Sequence, residues 1–131
     1  MIDAFVHAFL GILTWPNLLA MVAGTVGGIL VGALPGLTAA MGVAVLLPLT
    51  FTLDPLIGLG MMAGVYNGAI YGGAIPAILL RIPGTPAAIA TTFDGYPMTQ
   101  GGHAGPALQV AAASSAVGGM MSAIALMTLA P

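Results

Sequence analysis

The stretch that decides the fold is residues 71–97, YGGAIPAILLRIPGTPAAIATTFDGYP. It contains two apolar runs, residues 77–82 and 87–93, separated by a Pro-Gly-Thr-Pro turn at residues 83–86. Neither run can cross a hydrocarbon core of about 30 Å at about 1.5 Å per helical residue. Together they predict a hairpin that enters a membrane and returns to the same side. Such irregular backbone is tolerated at membrane depth only where protein or water surrounds it.

The composition of the whole chain favours lipid as its solvent. Of 131 residues, 60% are hydrophobic and 3% are charged, whereas soluble domains carry about 25% charged residues. Residues 4–53, 55–80 and 95–131 contain no charged side chain, which leaves room for about three to five membrane segments. We therefore predict an all-α integral membrane protein, a bundle of about 3–5 membrane segments with a re-entrant or broken helical hairpin.

The breaks in the apolar pattern predict where each segment begins and ends. We expect a short helix over residues 2–14, broken by Trp15-Pro16-Asn17. Asp54 is expected to cap the helix that follows it, Pro76 to interrupt that helix, and residues 94–97 to form a turn. The expected spans are residues 18–34, 56–74 and 107–130, with a shorter apolar segment at residues 39–53.

Small residues recur at four-residue steps in three of these segments. Such rows make smooth ridges that let membrane helices approach closely, so they predict a compact bundle. The three rows are Gly24, Gly28, Gly32, Gly36; then Gly60, Gly64, Gly68, Gly72; then Ala111, Ser115, Gly119, Ala123.

The residues that are absent exclude several classes of function. A single Arg and no Lys exclude a nucleic-acid surface and a P-loop, and the lack of Cys excludes thiol chemistry. No Ser lies in a Gly-x-Ser-x-Gly elbow. His7 and His103 lack acidic neighbours in sequence. We expect no enzyme, no organic cofactor and no metal beyond a possible sodium ion.

The hairpin chemistry suits an anion together with a small cation. The N–H groups at a helix start after Pro86 would carry partial positive charge, and Thr85, Thr91 and Thr92 add hydroxyl groups. Freed backbone carbonyls before the break could coordinate sodium. The turn at residues 35–38, Pro-Gly-Leu-Thr, is a second candidate of the same kind.

Several polar residues have two interpretations each. Arg81 either holds a carboxylate or extends to the lipid headgroups, and Asp94 either binds sodium or a proton or stabilises a turn. Asn67 contacts either a ligand or another helix. Tyr66 and Tyr71 are either site residues or interface aromatics.

Two stretches carry a specific family resemblance: GALPGLTAAMGVAVLLPLTF at residues 32–51 and YNGAIYGGAIPAILLRIPGTPAAIATTFDGYPM at residues 66–98. They resemble the large membrane subunit of tripartite tricarboxylate transporters, the TctA family. The resemblance implies an ion-coupled secondary transporter for citrate or related carboxylates in the bacterial inner membrane, with Na⁺ or H⁺ as coupling ion. It also implies two partners, a small TctB-like membrane subunit and a periplasmic TctC-like solute-binding protein.

The family pattern has two inverted repeats with a Pro-Gly motif in each, and large subunits are far longer than this chain. Residues 1–131 therefore look like the N-terminal part of the permease domain, within its first repeat. The alternative is a structural membrane module that packs against other subunits without its own transport site. The candidate substrate- or ion-binding residues in matching motifs are Pro35, Gly36, Leu37, Thr38, Tyr66, Asn67, Gly72, Gly73, Pro83, Gly84, Thr85, Pro86, Thr91, Thr92 and Asp94, with Arg81 as a possible substrate contact.

Overall fold

The computed structural model describes His7 and residues 9–129, and within them the chain forms helices and no strands. Three of the helices, Trp15–Gly32, Pro55–Leu80 and Ala104–Leu129, are long and apolar enough to cross a membrane. These observations confirm the all-α membrane fold class. The helices are α1 (Trp15–Gly32), α2 (Ala39–Thr50), α3 (Pro55–Leu80), α4 (Thr91–Gln100) and α5 (Ala104–Leu129), with a short 3₁₀ helix at Pro86–Ala88.

Local sequence explains how the helices start. Pro16 lies in the first turn of α1, where a missing N–H costs nothing. The Thr38 side chain accepts a hydrogen bond from the Met41 N–H and caps α2. The Asp54 carboxylate accepts from the Leu56 N–H at 3.1 Å, so the predicted cap of α3 is confirmed.

Three predicted boundaries are wrong. Residues 9–12 are helical and the break falls at residues 13–14, so Trp15-Pro16-Asn17 opens α1; residues 2–6 and 8 of the predicted first helix lie outside the described part. Pro76 does not interrupt α3. It lacks the N–H of one helical hydrogen bond, but it is buried, and the packing of its side chain outweighs that loss. Residues 94–97 lie inside α4. The negative charge of Asp94 in the first turn interacts favourably with the positive end of the helix dipole.

Glycine rows hold α1 against α3. Gly24, Gly28 and Gly32 lie on the backbone of Met61, Val65 and Ala69 respectively, so the two helices run parallel and in backbone contact. From the other side, the α3 glycines meet α1 in the same way: Gly64 lies on Met21, Gly68 on Thr25 and Gly72 on Ile29. Two of the three predicted ridges are thus confirmed as packing surfaces.

The third ridge and the end of the first behave differently. Gly36 lies in the turn beyond α1 and not in the seam. On α5, Ser115, Gly119 and Ala123 are exposed, and apart from the neighbouring backbone of α5 itself no described atom lies within 4 Å of where a Gly119 side chain would begin.

Two hairpins approach each other along α3. The α1–α2 hairpin turns just after Gly32, and Gly32 contacts Ala69 of α3. The end of α3, at Leu80, lies about 16 Å beyond Ala69 along α3. From the opposite end, the chain turns back after Arg81, and the Gly84 N–H donates to the Gly73 carbonyl at 3.1 Å. The second hairpin therefore re-enters by about 10 Å along α3.

Helix α4 completes the second hairpin. It runs back toward the end of α3, where the Thr99 hydroxyl donates to the Ile78 carbonyl at 2.8 Å. The predicted broken hairpin is present, but its limbs differ from the prediction. Residues 77–82 are mostly the end of α3, the inward limb is the non-helical segment 82–85, and α4 is the outward limb.

Candidate functional site

The two Pro-Gly turns line one cavity of about 280 Å³, here called the central cavity. It lies where the α1–α2 hairpin and the re-entrant hairpin meet. Its lining residues are Gly36 and Thr38 from the first turn, and Pro83, Gly84, Thr85, Pro86 and Ile89 from the second.

The first turn brings a helix N-terminus to the cavity. Gly36 has φ 95°, a left-handed conformation that favours glycine, and it reverses the chain between α1 and α2. Thr38 both lines the cavity and caps α2. Because the first N–H groups of a helix lack intrahelical partners and carry partial positive charge, this edge of the cavity favours an anion.

The second turn is wedged between α1 and α3. A side chain at Gly84 would collide with the Gly32 carbonyl, and its Cβ would lie 2.8 Å from the Gly73 Cα. A Cβ at Gly73 would in turn lie 2.8 Å from the Thr85 Cγ2. Three glycines from three segments therefore allow the irregular backbone of residues 83–85 to be buried in protein, as the bilayer requires.

Thr85 carries an unpaired polar atom at this cavity. Its side chain is 4% exposed, and its Oγ1 has no hydrogen-bond partner in the described part of the chain. Leaving a buried hydroxyl unpaired costs about 1–3 kcal/mol. The Oγ1 atom is buried against Gly73, so pairing with a ligand oxygen requires the Thr85 side chain to turn toward the cavity that the residue lines.

The predicted residues on α3 lie mostly away from the central cavity. Asn67 donates to the Ala63 carbonyl at 3.0 Å and, with Tyr71, lines a groove of about 550 Å³ between α1, α3 and α5. Tyr66 is exposed, and Gly72 packs on Ile29. In the first turn, Pro35 and Leu37 lie beside the cavity lining without forming part of it.

The predicted residues of α4 and its approach are also spread apart. Thr91 lines a separate cavity against α5, and the Thr92 hydroxyl donates to the Ile89 carbonyl at 2.7 Å. Asp94 is exposed. Arg81 lies at the end of α3 beside Tyr96, about 12 Å along the helix from Gly73.

Sequence reasoning missed three residues. Gly32 was assigned to helix packing alone, although its carbonyl also contacts Gly84. Ile89 lines the cavity, but one more apolar residue in so apolar a sequence does not indicate a binding site. Asn17 is 1% exposed with neither Oδ1 nor Nδ2 hydrogen-bonded in the described chain. In the sequence, Asn17 stands beside Pro16 in the expected helix break, and that position gives no indication of its burial against Gly60.

Fold and site together define a class. Long apolar helices, interlocked by glycines and interrupted by buried irregular backbone, are typical of helical membrane transport proteins.

Comparison with known proteins gives the family. The tripartite tricarboxylate transporter TctA family matches residues 18–131. An uncharacterized 52.8 kDa protein in the TAR-I ttuC′ 3′ region of Agrobacterium vitis is 42% identical over 119 residues, which cover 91% of this chain and 24% of the relative. This chain thus spans about a quarter of that protein's length. No solved structure matches. The chain belongs to the tripartite tricarboxylate transporter TctA family.

Proposed function

We propose that this chain forms part of the membrane component of an ion-coupled secondary transporter that takes up tricarboxylates or related carboxylates. The observation that carries the proposal is the central cavity, where both Pro-Gly turns meet beside the N-terminus of α2 and Thr85 lines the wall. Its volume of about 280 Å³ lies near the lower end of the range for small-molecule sites, about 300–1,000 Å³. That size suits a small organic acid.

Two helix ends with opposite partial charges lie near the central cavity. The N-terminus of α2 begins at Thr38 and favours a carboxylate. The C-terminus of α1 ends at Gly32, whose carbonyl lies against Gly84, and helix C-terminal carbonyls suit a cation such as sodium. We propose Na⁺, or H⁺ in its place, as the coupling ion, bound near the carboxylate so that each stabilises the other.

The partners follow from the family and remain part of the proposal. We propose that a small TctB-like subunit and a periplasmic TctC-like solute-binding protein assemble with this component in a bacterial inner membrane. The binding protein would deliver the carboxylate to the side of the membrane on which the site opens.

Transport by the assembled system tests the proposal. We expect sodium-dependent uptake of radiolabelled citrate or a related acid, and a loss of about tenfold or more in Thr85→Val, because an isosteric methyl cannot pair with the ligand oxygen. Thr128→Val is the matched control, because Thr128 lies on the exposed face of α5 and its hydroxyl donates only to its own helix.

The result also discriminates the alternative. The exposed small-residue face of α5 favours a structural module that packs on other subunits. A module without a site predicts normal uptake in Thr85→Val and impaired assembly when Gly119 is enlarged. Normal uptake in Thr85→Val at wild-type expression contradicts the proposed site.

A further inference from the structure

A second pocket, of about 340 Å³, lies between the end of α3 and α4 and is here called the Arg81 pocket. Arg81 directly precedes the inward limb of the re-entrant hairpin, and α4 is the outward limb, so the pocket lies between the two limbs at the hairpin's open end. Its lining residues are Arg81, Thr92, Phe93, Tyr96, Pro97 and Gln100.

Arg81 is the only Lys or Arg of the sequence, and its backbone conformation directs its side chain into the Arg81 pocket. Arg81 has φ 60°, and among the described residues it is the one non-glycine with positive φ. Its guanidinium carbon lies 5.8 Å from the centroid of the Tyr96 ring, within the range of a cation–π contact. That contact orients the guanidinium, and because no hydrogen bond within the described residues engages its N–H groups, they can bind a second partner.

Hydrogen bonding leaves a further donor beside the guanidinium. The Gln100 Nε2 donates to the Tyr96 hydroxyl oxygen at 2.6 Å, so the phenolic hydrogen remains able to donate outward. Thr92 lines the pocket but does not offer its hydroxyl hydrogen to a ligand, because that hydroxyl donates to the Ile89 carbonyl.

The charge of the pocket is positive. Its α4 residues recur at positions 92, 93, 96, 97 and 100, which form one helical face. Asp94 falls about 200° around the helix from Tyr96 and does not line the pocket. The lining therefore carries one cation and no carboxylate.

We propose that the Arg81 pocket binds a carboxylate- or phosphate-bearing anion and thereby braces the two limbs of the re-entrant hairpin. The guanidinium fork matches the paired oxygens of either group, and the Tyr96 hydroxyl supplies another hydrogen bond. The exposed Phe93 ring and Pro97 would contact an apolar part of the ligand. This site is separate from the central cavity, and the proposal does not rest on transport.

Two sources can present this chemistry. Helix α3 has 26 residues and is about 39 Å long, which exceeds the hydrocarbon core of about 30 Å, so Arg81 reaches the headgroup region. The anion is either the phosphate of an acidic lipid or a free carboxylate at the membrane surface.

The test measures binding to the purified membrane component with two probes, phosphatidylglycerol by native mass spectrometry and citrate by isothermal calorimetry. Arg81→Asn removes the cation but tolerates the left-handed backbone better than other non-glycine residues. We expect about tenfold or greater loss of affinity in Arg81→Asn and about threefold or greater loss in Tyr96→Phe, in line with charged and neutral hydrogen bonds.

Two controls and the pattern of probes decide the outcome. Asp94→Asn, on another face of α4, and Thr128→Val, on the exposed face of α5, should keep the affinity of this pocket. Loss confined to phosphatidylglycerol identifies a lipid headgroup, and loss confined to citrate identifies a free carboxylate. The proposal is overturned if Arg81→Asn and Tyr96→Phe bind both probes as wild type does, or if Asp94→Asn reduces binding as much as they do. If Arg81→Asn does not fold, Tyr96→Phe alone decides between these results.

Discussion

Adjacent glycines on α1 should respond in opposite ways to the same substitution. In Gly28→Ala the new Cβ would meet backbone on α3: it would collide with the Val65 carbonyl oxygen and lie 2.9 Å from both the Val65 carbonyl carbon and the Ala69 nitrogen. In Gly27→Ala the new Cβ would meet only the Leu46 Cδ1 at 3.4 Å, which is ordinary contact.

The magnitudes follow from these contacts. Backbone cannot rotate away as a side chain can, so α1 and α3 must separate, and overpacking of this kind costs about 3 kcal/mol at the upper end of its range. Alanine recovers about 1 kcal/mol of helix propensity. We therefore expect Gly28→Ala to be destabilised by roughly 2 kcal/mol and Gly27→Ala to be stabilised by roughly 0.5–1 kcal/mol.

Unfolding in mixed micelles, with sodium dodecyl sulfate as denaturant and circular dichroism as the signal, measures the difference between the two variants. The separation of roughly 2.5–3 kcal/mol corresponds to about a hundredfold in the folding equilibrium. Equal stability of Gly28→Ala and Gly27→Ala would refute the close parallel seam between α1 and α3.

Three further changes test single features of the fold. Gly36→Ala should cost about 1–2 kcal/mol in the same unfolding assay, because φ 95° penalises a Cβ although the space around it is open; Gly36→Asn should cost less. Asp54→Ala should lower stability by about 1 kcal/mol through loss of the α3 cap, and Asp54→Asn should not. Thr99→Val should release α4 from the Ile78 carbonyl, costing about 1 kcal/mol and raising hydrogen exchange across residues 91–100, whereas Thr99→Ser should behave as wild type.

Much of the fold could be predicted because it depends on local patterns. Spacing of four between glycines already indicates a ridge, and the α1–α3 seam uses two such ridges face to face. Asp54-Pro55 likewise predicts a helix start from two residues. The limits of the hairpin were predicted less well, since Pro76 has a strong local tendency to break a helix that packing along α3 overrides.

The candidate site was predicted in part for a similar reason. Pro-Gly turns are visible in sequence, and both of them line the central cavity. Their meeting could not be predicted, because it depends on how far α1 reaches along α3 before it turns. Asn67, Thr91 and Arg81 are polar residues in apolar segments, and polarity alone does not reveal which of three cavities each one lines.

The central claim is that a carboxylate occupies the cavity between the two Pro-Gly turns. Ile89 lines that cavity and is 51% exposed, so Ile89→Cys reports on its occupancy, and the chain has no other cysteine. The measurement is the rate of maleimide labelling with and without the transported carboxylate, at constant ionic strength set with sulfate. Phe51→Cys, at a position 77% exposed in the turn after α2 and outside the cavity lining, is the control. We predict that the carboxylate slows labelling of Ile89→Cys several-fold and leaves Phe51→Cys unchanged; equal labelling rates of Ile89→Cys with and without a carboxylate that is transported would contradict the claim.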